Sequence, residues 1–380
     1  MPPSPLKIGI TGQSGFVGTH LYITLGLFPN KYERIPFKDE FFQSKEILNE
    51  FVKQCDVIVH LAAMNRHNDP EVIYETNIKL VKQLISSCEN TNSTPHILFS
   101  SSTQEERDNL YGRSKIEGRK LLEEWADKND TQFSGLIIPN VFGPFGHPYY
   151  NSVVATFCHQ VTHNETPKID VDGDLKLIYV GQLVQQITEI INQVHNEHKN
   201  INEIKLQHTA EIKVSSVLKL LQEYKDNYFA KGEIPNLDTP FKLNLWNTFL
   251  CYIDHKTFFP FNLELNIDNR GSFVETVKLN SGGQVSFSTT VPGITRGNHY
   301  HTRKAERFAV IKGKAKIELR RIGTNEVLSF DLDGAHPSFV DMPIWYTHNI
   351  TNVGEEELYT IFWINEQYNA EDGDTYFEKV

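Results

Sequence analysis

Tyr111 and Lys115 stand four residues apart, the spacing that puts two side chains on one face of a helix. A phenol beside an ammonium is an acid/base pair, because the positive charge favours phenolate over phenol. Such a pair can protonate the oxyanion left when hydride adds to a ketone, or remove that proton in the reverse direction. Just upstream, Ser100-Ser101-Ser102-Thr103 closes an apolar run and can supply a hydroxyl to a carbonyl oxygen. A Tyr and a Lys at this spacing are common by chance, so their meaning depends on what accompanies them.

A second set lies near the other end. His299 and His301 are at i and i+2, Glu306 follows five residues later, and His348 stands further on. On a strand, i and i+2 project from one face. Imidazoles with a carboxylate suit a divalent metal, with Zn2+ the first choice and Ni, Mn or Fe fitting the same donors. An ion there could stabilise an enediolate and ease proton exchange beside a ketone. A purely structural metal is the alternative.

The third set is Gly12-Gln-Ser-Gly15-Phe16-Val17-Gly18, directly after the strand-like LKIGIT. Glycines at this spacing make a tight strand-to-helix turn whose backbone can approach a pyrophosphate at the positive helix end. The expected ligand is a nicotinamide dinucleotide. The second strand is expected near Tyr32–Phe37. A basic residue at its end accommodates the 2′-phosphate of NADPH and an acidic one the ribose hydroxyl of NADH. Lys38 lies nearest that end, ahead of Asp39, so the expectation is NADPH.

The elements that must position these groups differ along the chain. From Leu6 to about Ile191, apolar runs at 7–11, 56–62, 96–101 and 133–138 alternate with amphipathic stretches such as 16–25, 73–88 and 114–127. That pattern predicts βαβ units and a Rossmann-type, doubly wound α/β parallel sheet whose strands are buried on both faces. Near residue 255 the texture changes to short strands at close spacing, which predicts an all-β barrel or sandwich. The reading is two domains, 1–250 and 255–380, joined through the Pro- and aromatic-rich stretch 231–260.

The 380 residues carry a net charge of −11, which argues against nucleic acid, since phosphate binding needs a basic surface. The four cysteines have no CxxC grouping and read as packed thiols. No apolar run approaches a membrane span and no signal peptide is evident, so the expectation is a soluble, cytoplasmic protein without membrane partners.

In chain order, the glycine motif at 12–18, His60-Leu61-Ala62-Ala63, Asn77, the serine run, Tyr111 with Lys115, and Pro139-Asn140-Val-Phe-Gly143 resemble the extended short-chain dehydrogenase/reductases of the nucleotide-sugar-modifying branch. The resemblance spans residues 6–250. It implies Tyr111 as acid/base, Lys115 as its activator and a ribose ligand, and a hydroxyl on the substrate oxygen, Ser102 before Ser101 or Thr103. It also implies Leu61, Ala62 and Ala63 along the cofactor, Asn140 and Arg66 toward substrate, and Asn77 in the site wall. Three features depart from the pattern: a short Ser-to-Tyr interval, Tyr179-Val-Gly-Gln182 after the sheet, and Ile137 where an Arg is usual.

The spacing Gly293-x5-His299-x-His301-x4-Glu306-x6-Gly313, with Pro343-x-Trp345-x2-His348-x3-Asn352, resembles the cupins, with Trp345 where Gly is usual. Arg296-Gly-Asn-His299 and Asp268-Asn-Arg270-Gly271 resemble keto-sugar 3,5-epimerases, in which the RGxH histidine is the base. Here His299 is also a ligand candidate, so the base stays open, with Tyr346 a candidate acid/base. The whole chain resembles the bifunctional capsular polysaccharide enzymes of the CapF type. That implies a homodimer in which the cupin epimerises C3 of a UDP-linked 4-keto-6-deoxy-N-acetylhexosamine and the other half reduces C4 with NADPH. A cupin that only binds sugar or holds a dimer is the alternative, and a dinucleotide sensor without turnover is a third.

Overall fold

A computed structural model of the chain describes residues 4–194 and 201–380. Packing divides it into two compact units, Met1–Thr156 with Asp172–Val214 and Phe157–Val171 with Ser215–Val380. The change of sequence texture near 250–255 therefore differs from the division by packing, which groups the preceding helices with the strands that follow.

In the first unit, β1 (Leu6–Thr11), β2 (Tyr32–Ile35), β3 (Val57–His60), β4 (His96–Ser102) and β5 (Phe133–Ile138) are followed by β6 (Asn140–Phe142), β7 (Asp174–Tyr179), β8 (Ile201–Lys205) and β9 (Ala210–Lys213). Six of them form one sheet in the order β2-β1-β3-β4-β5-β8, and every neighbouring pair is parallel. Each face of that sheet carries its own core. On one, Leu21, Leu25, Leu183 and Ile187 cover Ile8, Ile10, Val57 and Val59. On the other, Leu48, Phe51, Leu84 and Trp125 cover Ile58, Ile97 and Phe133. Burial on both faces explains why these strands read as unbroken apolar runs.

The helices that matter for the chemistry are α1 (Phe16–Gly26), α2 (Lys45–Lys53), α3 (Pro70–Thr91) and α4 (Leu110–Lys128). The start of α3 is fixed by Pro70 in its first turn and by the Asp69 carboxylate, which accepts from Glu71 N at 3.0 Å. Its end is an Asn92 in the left-handed region.

The second unit holds two antiparallel five-stranded sheets. One contains Gln284–Thr290, Glu306–Lys312, Ser338–Met342 and Leu358–Ile364; the other contains Thr295–Tyr300, Lys314–Arg321, Val327–Asp333 and Tyr346–Asn352. The strand-rich architecture agrees with a cupin, but the ladder does not close into the expected barrel. Beside Thr290 the sheets are joined through side chains. Arg296 donates to Thr290 Oγ1 and Thr289 O at 3.0 Å, and Asn352 Nδ2 donates to Thr290 O at 2.7 Å.

The helix Val214–Lys231 is tied to these sheets by a buried charged triad. Arg307 donates to both Asp341 oxygens at 2.8 and 2.9 Å and to Gly232 O at 2.6 Å, while Tyr228 OH donates to Asp341 Oδ2 at 2.5 Å. Arg307 is only 1% exposed. Satisfied on every side, the pair is tolerated; broken, it would leave a buried charge unpaired.

Candidate functional site

The glycine loop is shaped by what a side chain would strike. Gly12 has φ +69, and a Cβ there would lie 2.8 Å from Ala62 N; one on Gly18 would lie 2.2 Å from Gly12 O. The loop thus packs against the Leu61–Ala63 segment after β3, leaving no room for larger residues. Beneath it, Thr11 Oγ1 meets His60 Nδ1 at 2.7 Å and accepts from Ala62 N at 3.3 Å. Burial, helped by the charge of Lys115, holds the His60 imidazole down to about 3, so it is neutral.

Over this loop opens a cleft of about 850 Å³ that contains Gly12, Gly15, Phe16, Val17, Gly18, Leu61, Ala62, Ala63, Arg66, Ser102, Tyr111, Lys115 and Asn140 among its walls. The sequence candidates for dinucleotide and substrate therefore come together, with one exception. Lys38 is exposed and caps the turn Asp39–Gln43, whereas Asp39 is the residue that lines the cleft, 3.0 Å from Ser14 Oγ.

Asn109 caps α4 by accepting from Gly112 N at 2.7 Å, which sets Tyr111 and Lys115 in the first turns. Lys115 Nζ donates to Ser100 O at 2.8 Å and lies 5.7 Å from the Tyr111 ring centroid. Burial lowers its ammonium from 10.5 to about 8, with Glu105 opposing. The expected downward pull on Tyr111 is not what the site shows. Burial, assisted by the nearby Tyr150, pushes that phenol up to about 12. At neutral pH Tyr111 is loaded as a proton donor, the state a reduction needs.

The short Ser-to-Tyr interval is spanned by a single turn, Thr103–Glu106. Ser100 donates to His60 O at 3.1 Å, and Ser101 donates to the Glu105 carboxylate. Ser102 Oγ accepts from Gln104 N at 3.2 Å, which leaves its own proton for a ligand. Arg119 fixes that turn by binding Glu105 at 2.9 and 3.2 Å. Asn77 clamps Met64 through both backbone groups and donates to Ser114 Oγ at 3.1 Å. Arg66 donates to the carbonyls of Tyr149 and Tyr150, so it also shapes the loop that carries Tyr150. Tyr150 was not a sequence candidate; only its place in the Tyr149-Tyr150 pair near Asn140 signals it.

In the second unit, His299, His301, Glu306 and His348 offer ligand atoms that all lie within 4.8 Å of one another. Glu306 comes from one sheet, and His299 and His348 come from the other. Glu306 Oε2 is 2.9 Å from His348 Nε2, 3.2 Å from His301 Nε2 and 3.9 Å from His299 Nε2. Despite those distances, Glu306 Oε2, His301 Nε2 and His348 Nε2 make no hydrogen bond of acceptable geometry, though all three are buried. Burial resists ionisation of Glu306, but the imidazoles around it outweigh that and hold the carboxyl well below its usual range. Three buried, unsatisfied ligand atoms within 4.8 Å of one another fit a divalent cation.

Tyr346 is placed differently from that cluster's donors. Its ring stands T-shaped to His255 at 5.3 Å, and burial, with Cys251 nearby, pushes its hydroxyl far up. A phenol so placed can give a proton but resists serving as a base.

Residues 8–204 match the NAD dependent epimerase/dehydratase family, and residues 266–376 match the polysaccharide biosynthesis C-terminal domain. The chain belongs to that epimerase/dehydratase family, in the two-part arrangement of the CapF type. A UDP-2-acetamido-2,6-beta-L-arabino-hexul-4-ose reductase of Pseudomonas aeruginosa is 31% identical over 372 residues, covering 98% of each chain. The crystal structure of the capsular polysaccharide assembling protein CapF from Staphylococcus aureus is 33% identical, with a TM-score of 0.62, and covers 99% of this chain and 100% of its own. RMD from Pseudomonas aeruginosa, solved complexed with NADPH, shares only the fold, at 18% identity and a TM-score of 0.52 over 58% of this chain and 84% of its own. Among the described residues, no helix is long and apolar enough to cross a membrane.

Proposed function

We propose that the chain is a bifunctional, cytoplasmic UDP-sugar enzyme acting on a UDP-linked 4-keto-6-deoxy-N-acetylhexosamine. The β-rich unit epimerises C3 and the first unit reduces C4 with a nicotinamide dinucleotide. The product is UDP-N-acetyl-6-deoxy-L-talosamine, on the route to UDP-N-acetyl-L-fucosamine for capsule or O-antigen. The observation that carries the reading is the presence, in one chain, of a loaded Tyr111/Lys115/Ser102 site and a converging His299/His301/Glu306/His348 set. The Pseudomonas relative, named as a hexul-4-ose reductase, supports the C4 half.

In the first unit Ser102 would hold the C4 oxygen by its uncommitted proton. As hydride arrives at C4, Tyr111 gives its phenolic proton to the developing oxyanion, and the ammonium of Lys115 steadies the phenolate that remains. In the second unit His299, His301, Glu306 and His348 would hold Zn2+. The ion would supply positive charge for an enediolate formed beside the C4 ketone. A C4 ketone acidifies the C3 proton, so epimerisation must come before reduction. The chain is proposed to act as a homodimer; exposed Ile267, Phe273 and Phe287 supply apolar surface for self-association.

The test is a two-part assay on the full chain. Solvent deuterium should enter C3 of the keto-sugar, and NADPH consumption should fall about 10²- to 10⁴-fold in Tyr111→Phe. Reduction at the wild-type rate in that variant would remove the hydride assignment. Reduction without any deuterium at C3 would leave the second unit as a sugar-binding or dimerising module.

The cofactor is proposed to be NADPH, received by Lys38. Asp39 lines the cleft beside Ser14, and this favours a second reading in which the carboxylate holds the ribose hydroxyl of NADH. Lys38→Ala should lower kcat/KM for NADPH about tenfold and spare NADH, since tenfold is the effect of roughly 1.4 kcal/mol of contact. If Asp39→Ala instead lowers kcat/KM for NADH alone, the second reading holds.

A further inference from the structure

The metal-site candidates come from residues 299–348, yet one of them is oriented from much further along the chain. His301 Nδ1 bonds the backbone carbonyl of Asp374, 73 residues away. A carbonyl only accepts, so His301 Nδ1 carries the proton, and in the neutral ring a metal needs, Nε2 presents its lone pair. That is the nitrogen which faces Glu306.

Asp374 is held in place by its own side chain. The carboxylate accepts from Thr302 N at 3.1 Å, Thr302 Oγ1 at 2.6 Å, Arg303 N at 3.0 Å and Lys304 N at 3.2 Å. The turn after His301 is thus wrapped around this one buried carboxylate, which is 4% exposed. Asp374 also has φ +39, an uncommon region for a residue other than glycine, and one Asp tolerates better than most. On either side the segment is fastened again. Lys304 Nζ donates to Gly373 O at 2.7 Å, and Tyr376 and Phe377 pair with Tyr300 and His299. His348, by contrast, takes its Nδ1 partner locally, from Tyr346 O at 3.2 Å.

We propose that Asp374 is the positioning residue of the metal centre: its carboxylate anchors the 302–304 turn so that its carbonyl locks His301 in the Nδ1–H tautomer. The proposal rests on the reading of the cluster as a metal site. Without the anchor, His301 is free to turn or to present either nitrogen, and the site loses one pre-set donor of four.

The experiment uses the full chain stripped of metal, with Zn2+ affinity measured by competition against a chelator and melting followed with and without Zn2+. Asp374→Ala should weaken Zn2+ binding about 10- to 100-fold, the effect typical of a lost partner behind a ligand. Asp374→Asn keeps one acceptor oxygen and should lose less. In both, the rise in Tm that Zn2+ confers on the folded protein should shrink. A role confined to folding would lower the metal-free Tm and leave Zn2+ affinity at the wild-type value, and that result would overturn the proposal. Should Asp374→Ala fail to fold, Asp374→Asn decides: unchanged affinity overturns the proposal, and weaker affinity at an unchanged metal-free Tm supports it. A wild-type chain that binds no divalent metal would instead remove the metal reading itself, and the proposal with it.

Discussion

Replacing Lys115 by Met should cost the reduction but not the fold. Lys115 is 3% exposed and its ammonium is displaced by burial from 10.5 to about 8. At about 1.4 kcal/mol per pH unit, that displacement corresponds to roughly 3 kcal/mol. The sign follows from proton counting. Between pH 8 and 10.5 the unfolded chain holds a proton that the folded chain does not, so stability rises with pH through that window. Below pH 8 both states are protonated and the folded protein bears the whole cost. Lys115→Met removes this cost but gives up the bond to Ser100 O, which contributes about 1–3 kcal/mol. The dinucleotide-free variant should therefore be about 0–2 kcal/mol more stable than wild type at pH 7. That advantage should fall by about 2–3 kcal/mol by pH 10. Urea unfolding of both proteins at several pH values between 7 and 10 measures it, since all other titrating groups are shared and cancel. A stability difference that stays flat across the range would refute the reasoning.

Ser102→Ala should lower the reduction rate by about 10²-fold, the loss expected for one donor to a developing oxyanion. Ser100→Ala, whose hydroxyl is spent on His60 O, should cost far less; equal effects would reassign the donor. Asp341→Ala strands the buried Arg307 guanidinium and should destabilise the second unit by about 3–5 kcal/mol. A Tm unchanged from wild type would show that the triad is dispensable.

The first unit was legible because its signals are local. A glycine loop needs only its neighbours to be recognised, and doubly buried strands announce themselves as apolar runs. The four metal-site candidates were legible for a related reason, since strand alternation places His299 and His301 on one side before any fold is known. What stayed hidden depends on contacts distant in sequence or on single-residue phase. Arg307 and Asp341 are 34 residues apart and Tyr228 is 113 from Asp341, so nothing local marks them as one triad. The choice between Lys38 and Asp39 turned on where one short turn begins. The expected pull of Lys115 on Tyr111 gives way to burial, with Tyr150 beside it, which raises the phenol, and burial is not written in a four-residue spacing.

The same separation has a consequence for biosynthesis. Gly12 to Gly18, Tyr111 and Lys115 leave the ribosome before any of the four metal-site candidates exists. His301 then waits for Asp374, emerging 73 residues later, before its tautomer is set. If the cluster holds a metal as proposed, its donor set cannot be fully pre-oriented until the distal segment that carries Asp374 has been made. On the proposed metal reading, a product lacking that segment should take up divalent metal poorly. Metal content would then report whether the distal segment had been made and folded into place.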